Sequence, residues 1–239
     1  GGAAMRFLGL GKTAHCIVCE ERVTKEFAVL LCDELCICGE CAERIEQYKS
    51  TPAFEGRDYL KFLISAFPYS GALREAFAKF KFFGQEGYGK IFAQLLADSA
   101  KDLINPGDFD IIVPVPLSRQ RMSERGFNQA AVMAKAVAER YGIAYSENVL
   151  FRIRNTKRQS GLSVAERNIN VRDAFLADGL FAARKRILLV DDIYTRGATM
   201  SECARVLYDA DAYMTAGMTL FKTHLPDNEG PAAGIRGAR

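Results

Sequence analysis

The segment Ile187-Leu-Leu-Val-Asp-Asp-Ile-Tyr-Thr-Arg-Gly-Ala-Thr-Met200 constrains the fold more than any other part of the chain. Its opening run of four aliphatic residues reads as a strand buried on both faces, the pattern of a parallel sheet covered by helices. Two adjacent aspartates close the strand. A turn containing Thr and Gly then opens a helix, with Met200, Cys203, Ala204 and Leu207 at i, i+3, i+4 and i+7. Open α/β sheets bind ligands outside the carboxyl ends of their strands. Backbone N–H groups of residues 195–199, the hydroxyls of Thr195 and Thr199, and the positive end of the following helix together suit one phosphate. Asp191 and Asp192 suit a pair of vicinal hydroxyls, as on a ribose. A Walker-type loop is excluded, because no Gly-x4-Gly-Lys-Ser/Thr occurs.

The surrounding pattern agrees with that sheet. From residue 57 onward, apolar runs at 60–66, 110–115, 185–191 and 213–221 read as strands. Helical periodicity covers 71–83, 88–103, 128–141 and the stretch after Thr199. Alternating strands and helices predict an α/β chain with a doubly wound, mainly parallel sheet. The polar segment 50–56, with its Pro and Gly, reads as a linker. Residues 1–56 are therefore expected to form one module, 57–224 the α/β domain, and 225–239, rich in Gly, Pro and Ala, a flexible tail. Gly1-Gly-Ala-Ala4 ahead of Met5 reads as a cloning remnant. A formal net charge of +3 confines any basic site to a local strip. No apolar run reaches the ~20 residues of a membrane span, and no signal-peptide core opens the chain, so a cytoplasmic protein is expected.

Six of the seven cysteines fall between Cys16 and Cys41. Cys16-Ile-Val-Cys19 and Cys38-Gly-Glu-Cys41 are two Cys-x2-Cys knuckles, and such pairs turn four sulfurs toward one tetrahedral metal. A structural Zn²⁺ on Cys16, Cys19, Cys38 and Cys41 is the expectation, with Cys32-x3-Cys36 as the pair that could replace the last knuckle. Cys203, on the apolar face of its helix, reads as a core residue.

Two basic segments accompany the acidic strand. The first is Val113-Pro-Val-Pro-Leu-Ser-Arg-Gln-Arg-Met-Ser-Glu-Arg-Gly-Phe-Asn-Gln129. The second runs from Leu150 to Asn170 and holds Arg152, Arg154, Lys157 and Arg158 with no acid among residues 152–158. A pyrophosphate leaving group needs such positive charge and donors. Leu117 and Ser118 are candidates for a pyrophosphate loop, and Arg121, Arg125, Arg154 and Lys157 for charge neutralisation. Asn128 and Gln129 can equally cap the helix that follows.

Segment 187–200 resembles the 5-phosphoribosyl-1-pyrophosphate (PRPP) motif of type I phosphoribosyltransferases. The two basic segments and the cysteine knuckles resemble the further signatures of the ComF family, over roughly residues 15–222. That resemblance implies that Asp191 and Asp192 hold the ribose hydroxyls. It also implies that Thr195, Arg196, Gly197, Ala198 and Thr199 bind the 5′-phosphate, that Mg²⁺ arrives with PRPP, and that Gln159 and Arg167 lie on a hood over the ligand. Arg196 stands where many relatives carry a hydroxyl residue. The resemblance further implies a role in natural transformation, with incoming single-stranded DNA and a helicase-like competence protein as partners. No residue is forced by sequence into the role of general base, so catalytic residues are unassigned and enzymatic activity stays open. A nucleobase-salvage phosphoribosyltransferase and a non-catalytic DNA-binding adaptor with a PRPP-sensing pocket are the competing readings.

Overall fold

The computed structural model describes residues 13–47, 56, 59–83, 86–101, 103–154 and 171–223. Strands in the second half are β5 (Leu63–Pro68), β6 (Ile111–Pro114), β7 (Ala144–Tyr145), β10 (Arg186–Tyr194) and β11 (Met214–Lys222). They form one parallel sheet in the order β5-β11-β10-β6-β7. The aliphatic run in β10 serves two cores at once. Leu188 and Val190 join a cluster with Phe77, Phe92 and Met133 of helices α2 (Gly71–Phe83), α3 (Glu86–Ser99) and α5 (Gln129–Tyr141). Ile187 and Leu189 join the opposite cluster with Met200, Cys203 and Leu207 of α7 (Ala198–Asp209). Period-two alternation with both faces apolar is what a doubly wound sheet requires. Fully buried Phe77 packs against Phe80, Phe92 and Phe221 at ring-centroid distances of 5.0–5.6 Å. Its truncation to Ala would cost about 3–5 kcal/mol.

Element boundaries shift where the hydrogen-bond ladder overrides the hydrophobic run. The strand expected at 60–66 lies at Leu63–Pro68, because β5 pairs with β11 from Leu63↔Gly217 to Pro68↔Lys222. As an edge strand it tolerates a terminal proline. Strand β10 continues past the aspartates to Tyr194, paired with β11 through Asp191↔Thr219 and Ile193↔Phe221.

The first part of the chain is more ordered than its weak periodicity suggests. Strands β1 (Thr13–Cys16), β2 (Arg22–Thr24), β3 (Ala28–Cys32) and β4 (Leu35–Cys38) form a sheet in the order β2-β1-β4-β3, closed by α1 (Gly39–Gln47). This sheet rests on α3. Cys16, Ile17, Ile37 and Ile45 are continuous with the buried cluster of the large sheet. Leu35 approaches Gly87 so closely that a Cβ there would lie 2.8 Å from its side chain. Glu20 pairs with Lys79 of α2.

In the larger part of the chain, further elements escape sequence patterning. Helix α4 (Arg119–Arg125) occupies the first basic segment. An antiparallel ribbon, β8 (Leu150–Arg152) and β9 (Phe175–Ala177), flanks α7, followed by the single-turn helix α6 (Gly179–Ala182). Glu202 of α7 fixes the ribbon's approach, accepting from the Asp173 N–H and from Arg205.

Candidate functional site

The chain reverses its winding direction between β6 and β10. The strand following β6 in sequence lies on its outer side, whereas the strand following β10 lies on the other flank. Such a switch point leaves a crevice at the carboxyl ends of the two strands. A cavity of about 420 Å³ opens there. Its floor is Asp191, Asp192 and Ile193 of β10. One wall is the turn with Thr195, Gly197, Ala198 and Thr199. The other is Val115, Pro116 and Leu117 beyond β6, with Arg121 and Arg125 of α4.

Turn geometry is set by Gly197, the N-cap of α7, with φ +84°. A Cβ there would lie 2.9 Å from two ring carbons of buried Tyr194. Only glycine meets both the left-handed backbone and the close approach. The first N–H groups of the 12-residue helix α7, which have no intrahelical acceptor, lie at the cavity, which Thr195, Ala198 and Thr199 line.

Electrostatics in the cavity are concentrated on the aspartates. Burial, followed by the like charge of Asp192, lifts the Asp191 carboxyl to about 7, although the Asp192 N–H donates to its Oδ1 at 2.8 Å. Lys81, from the last turn of α2, places its ammonium 2.6 Å from Asp192 Oδ2. Across the cavity, burial disfavours the charged forms of Arg125 and Arg152, an imbalance that a bound anion would relieve. Gln129 is buried, accepts from Arg125 at 2.8 Å through Oε1, and leaves Nε2 without a partner among the described residues. The Nε of Arg196 is likewise buried and unpartnered among them. Buried unsatisfied donors are costly, and Gln129, unlike Arg196, lines the cavity, which could supply it with an oxygen acceptor.

The expected residues distribute as follows. Asp191, Asp192, Thr195, Gly197, Ala198, Thr199, Leu117, Arg121 and Arg125 all line the cavity. Ser118 is buried, and its hydroxyl accepts from the Arg121 N–H at 3.3 Å, capping α4. Asn128 caps α5 and also lines the cavity, its Nδ2 donating to the Val115 carbonyl at 3.0 Å. Arg154 is exposed and donates to the Arg172 carbonyl. The cavity is reached instead by Arg152, whose guanidinium stacks 5.1 Å above the Phe175 ring. Lys157, Gln159 and Arg167 lie outside the described residues, as does the tail 225–239. Lys81 and Tyr69 line the cavity from outside the motifs read in the sequence, whereas Arg152 was read only as part of the basic strip. Lys81 had one signal: it falls four residues after buried Phe77, on an apolar helix face.

A second site lies in the small sheet. The sulfurs of Cys16, Cys19, Cys38 and Cys41 all lie within 4.8 Å of one another, with Cys19 and Cys38 at 3.9 Å. Four thiolates on one Zn²⁺ would stand roughly 3.8 Å apart, given Zn–S bonds of ~2.3 Å, so the cluster could hold a metal such as zinc. Burial opposes ionisation of Cys16, yet the backbone N–H groups of Cys19, Cys38 and Val18 outweigh it and bring the thiol down to about 7. Cys36 stays outside the cluster, its thiol pushed up to about 11 by burial and neighbouring thiols, and Cys32 donates to Asp33. Buried Cys203 belongs to the core around α7.

No family model matches the chain. It is 28% identical over 214 residues to competence protein F of Haemophilus influenzae, covering 84% of this chain and 86% of that one. It is 27% identical over 219 residues to competence protein ComFC of Streptococcus pneumoniae, covering 82% and 94%. Its homologues are named competence proteins. ComFC of Bacillus subtilis is 31% identical over 160 residues, covering 66% of this chain and 63% of the relative. The resemblance read from the motifs thus extends along most of the chain. Among solved structures, the allosteric regulatory enzyme of purine biosynthesis is 25% identical over 55% of this chain, with a TM-score of 0.38. The match spans about a quarter of that enzyme's length. A purine phosphoribosyltransferase from Pyrococcus horikoshii overlaps 60% of this chain and 90% of its own, at 14% identity and a TM-score of 0.31. Among the described residues no helix is long and apolar enough to cross a membrane.

Proposed function

We propose that this chain binds PRPP with Mg²⁺ in the cavity between β6 and β10, and that it serves the handling of incoming single-stranded DNA in natural transformation. The observation that carries the ligand is the convergence on one crevice of three chemistries: vicinal carboxylates, a helix-start phosphate cradle, and desolvated arginines. Asp191 and Asp192 accept from the ribose hydroxyls. The N–H groups of the turn 195–199 and the Thr195 and Thr199 hydroxyls take the 5′-phosphate. Arg121, Arg125 and Arg152, with the spare Gln129 amide hydrogens, face the pyrophosphate. Mg²⁺ favours one or two carboxylates together with substrate phosphates, a donor set that the cavity and PRPP supply jointly.

Transfer of the phosphoribosyl group would break the bond from the anomeric carbon to pyrophosphate as the acceptor bonds to that carbon. The arginines would stabilise the charge that accumulates on the departing pyrophosphate. The transformation role is supported by the names of the relatives, competence protein F and ComFC, and by others, matched over a shorter stretch, named DNA utilization protein. A helicase-like competence protein is the proposed partner. A cytoplasmic setting suits a four-cysteine zinc site, since thiols stay reduced there.

A nucleobase-salvage reading draws on Tyr69, an aromatic ring at the cavity edge beside Phe221. Pyrophosphate release from PRPP, measured with purine bases, with single-stranded DNA, and with neither, separates the readings. The transformation role predicts no burst with bases and a response to DNA. It also predicts weak, sequence-independent strand binding that PRPP diminishes. For three to five phosphate contacts the log–log salt slope would be roughly −2 to −3.5. A base-dependent burst untouched by DNA would favour salvage.

A further inference from the structure

Lys81 stands apart from the residues that the ligand motifs supply. It comes from α2, its side chain is 13% exposed, and its ammonium sits 2.6 Å from Asp192 Oδ2 and 4.9 Å from the centroid of the Phe77 ring. A lysine held by a carboxylate and an aromatic face is fixed in place and not swept through solvent. Its ammonium covers the Asp192 oxygen that a divalent cation would otherwise approach.

We propose that Lys81 is a tethered counter-ion that closes the Asp191–Asp192 pair to a bare divalent cation, so that the metal enters only as a complex with a polyphosphate. The inference rests on the PRPP reading for the identity of that polyphosphate. Its physical basis is a charge count. Among the described residues lining the cavity, the cations are Lys81, Arg121, Arg125 and Arg152, and the carboxylates are Asp191, Asp192 and Glu124. With Lys81 in place the full set of ionised groups is net positive, and a free dication is repelled. A metal–polyphosphate complex arrives with net negative charge, satisfies the arginines, and can displace the ammonium from Asp192. Without Lys81 the count becomes neutral and the Asp192 carboxylate loses its ammonium, which leaves its oxygens able to take a hard cation. Lys81 is thus a positioning residue that acts through Asp192 and sets the form in which the metal binds.

Manganese tests the proposal without any PRPP. Zinc-loaded full-length protein is titrated with Mn²⁺, and free Mn²⁺ is read from its electron paramagnetic resonance signal. Wild type and K81R should leave millimolar Mn²⁺ largely free. K81M and K81Q should bind one Mn²⁺ about tenfold tighter or more, given the strength of charge interactions at this range. The gain should vanish in K81M/D192N. Mg²⁺–PRPP binding to K81M, followed calorimetrically, should weaken or stay level while bare Mn²⁺ binding rises. A general packing defect would not produce those opposed shifts. Equal Mn²⁺ affinity in wild type, K81M and K81Q, or a gain that survives D192N, would overturn the proposal. Failure of wild type to bind PRPP would instead remove the ligand reading, and the manganese comparison would still decide the role of Lys81.

Discussion

Gly197 and Tyr194 are interlocked: the ring of Tyr194 occupies the space that any side chain at 197 would need. The same glycine has a left-handed backbone, which costs other residues about 1–2 kcal/mol. Gly197→Ala should therefore destabilise the protein by at least that amount in urea unfolding and lower PRPP affinity more than tenfold. The affinity loss follows because the N–H groups of residues 195–199 would be re-aimed. Unchanged affinity in the folded variant would mean that the turn is not the phosphate cradle.

Asp191 gives a pH signature. Its carboxyl is raised from an ordinary 3.8 to about 7, first by burial and then by Asp192. A raised acid favours folding in its protonated form. That contribution is fully present below about pH 4 and is lost as pH climbs through about 7. Asp191→Asn should consequently be more stable than wild type at pH 8, by on the order of 4 kcal/mol. The difference should shrink toward zero near pH 4. The same variant should lose PRPP binding, marking a site strained for function. Urea melts of both proteins at pH 4, 6 and 8 check it, and a pH-independent difference would count against a titrating Asp191.

The four-cysteine cluster predicts about one zinc per chain by elemental analysis, falling to near zero in Cys16→Ser or Cys41→Ser. Cys16 and Cys41 share a buried cluster with residues of α2 and α3. Metal loss should therefore lower the melting temperature of the whole chain and expose the N-terminal part to protease. Zinc-free wild type with an unchanged melt and digestion pattern would exclude a structural metal.

How far the sequence carries can be argued residue by residue. Strand β10 and helix α7 were legible because an uninterrupted aliphatic run and an i, i+3, i+4, i+7 stripe leave few alternatives. The four sulfurs were legible from knuckle spacing alone, and the geometry sets Cys32 and Cys36 aside. Strands β1–β4 were not legible. They are three to five residues long, too short for alternation to register, and of the four it is β3 and β4 that pack on α3. Helix α4 was hidden because its charges read as a loop, whereas Ser118 caps it and Gly126 ends it in the left-handed region. Arg152 was read within a basic strip, and only the β8–β9 pairing turns it toward the cavity while Arg154 stays outside. Lys81 was invisible to motif reading because its partner lies 111 positions away in the chain, a distance that only the folded sheet closes.

The central claim is that β10 and the turn after it form a PRPP site. Calorimetric titration of PRPP with Mg²⁺ into the zinc-loaded chain, beside Asp191→Ala/Asp192→Ala, tests it most directly. The predicted result is one saturable site per wild-type chain, and no measurable heat of binding in a double variant with wild-type circular dichroism. Undiminished binding by that folded double variant, or none by wild type, would contradict it.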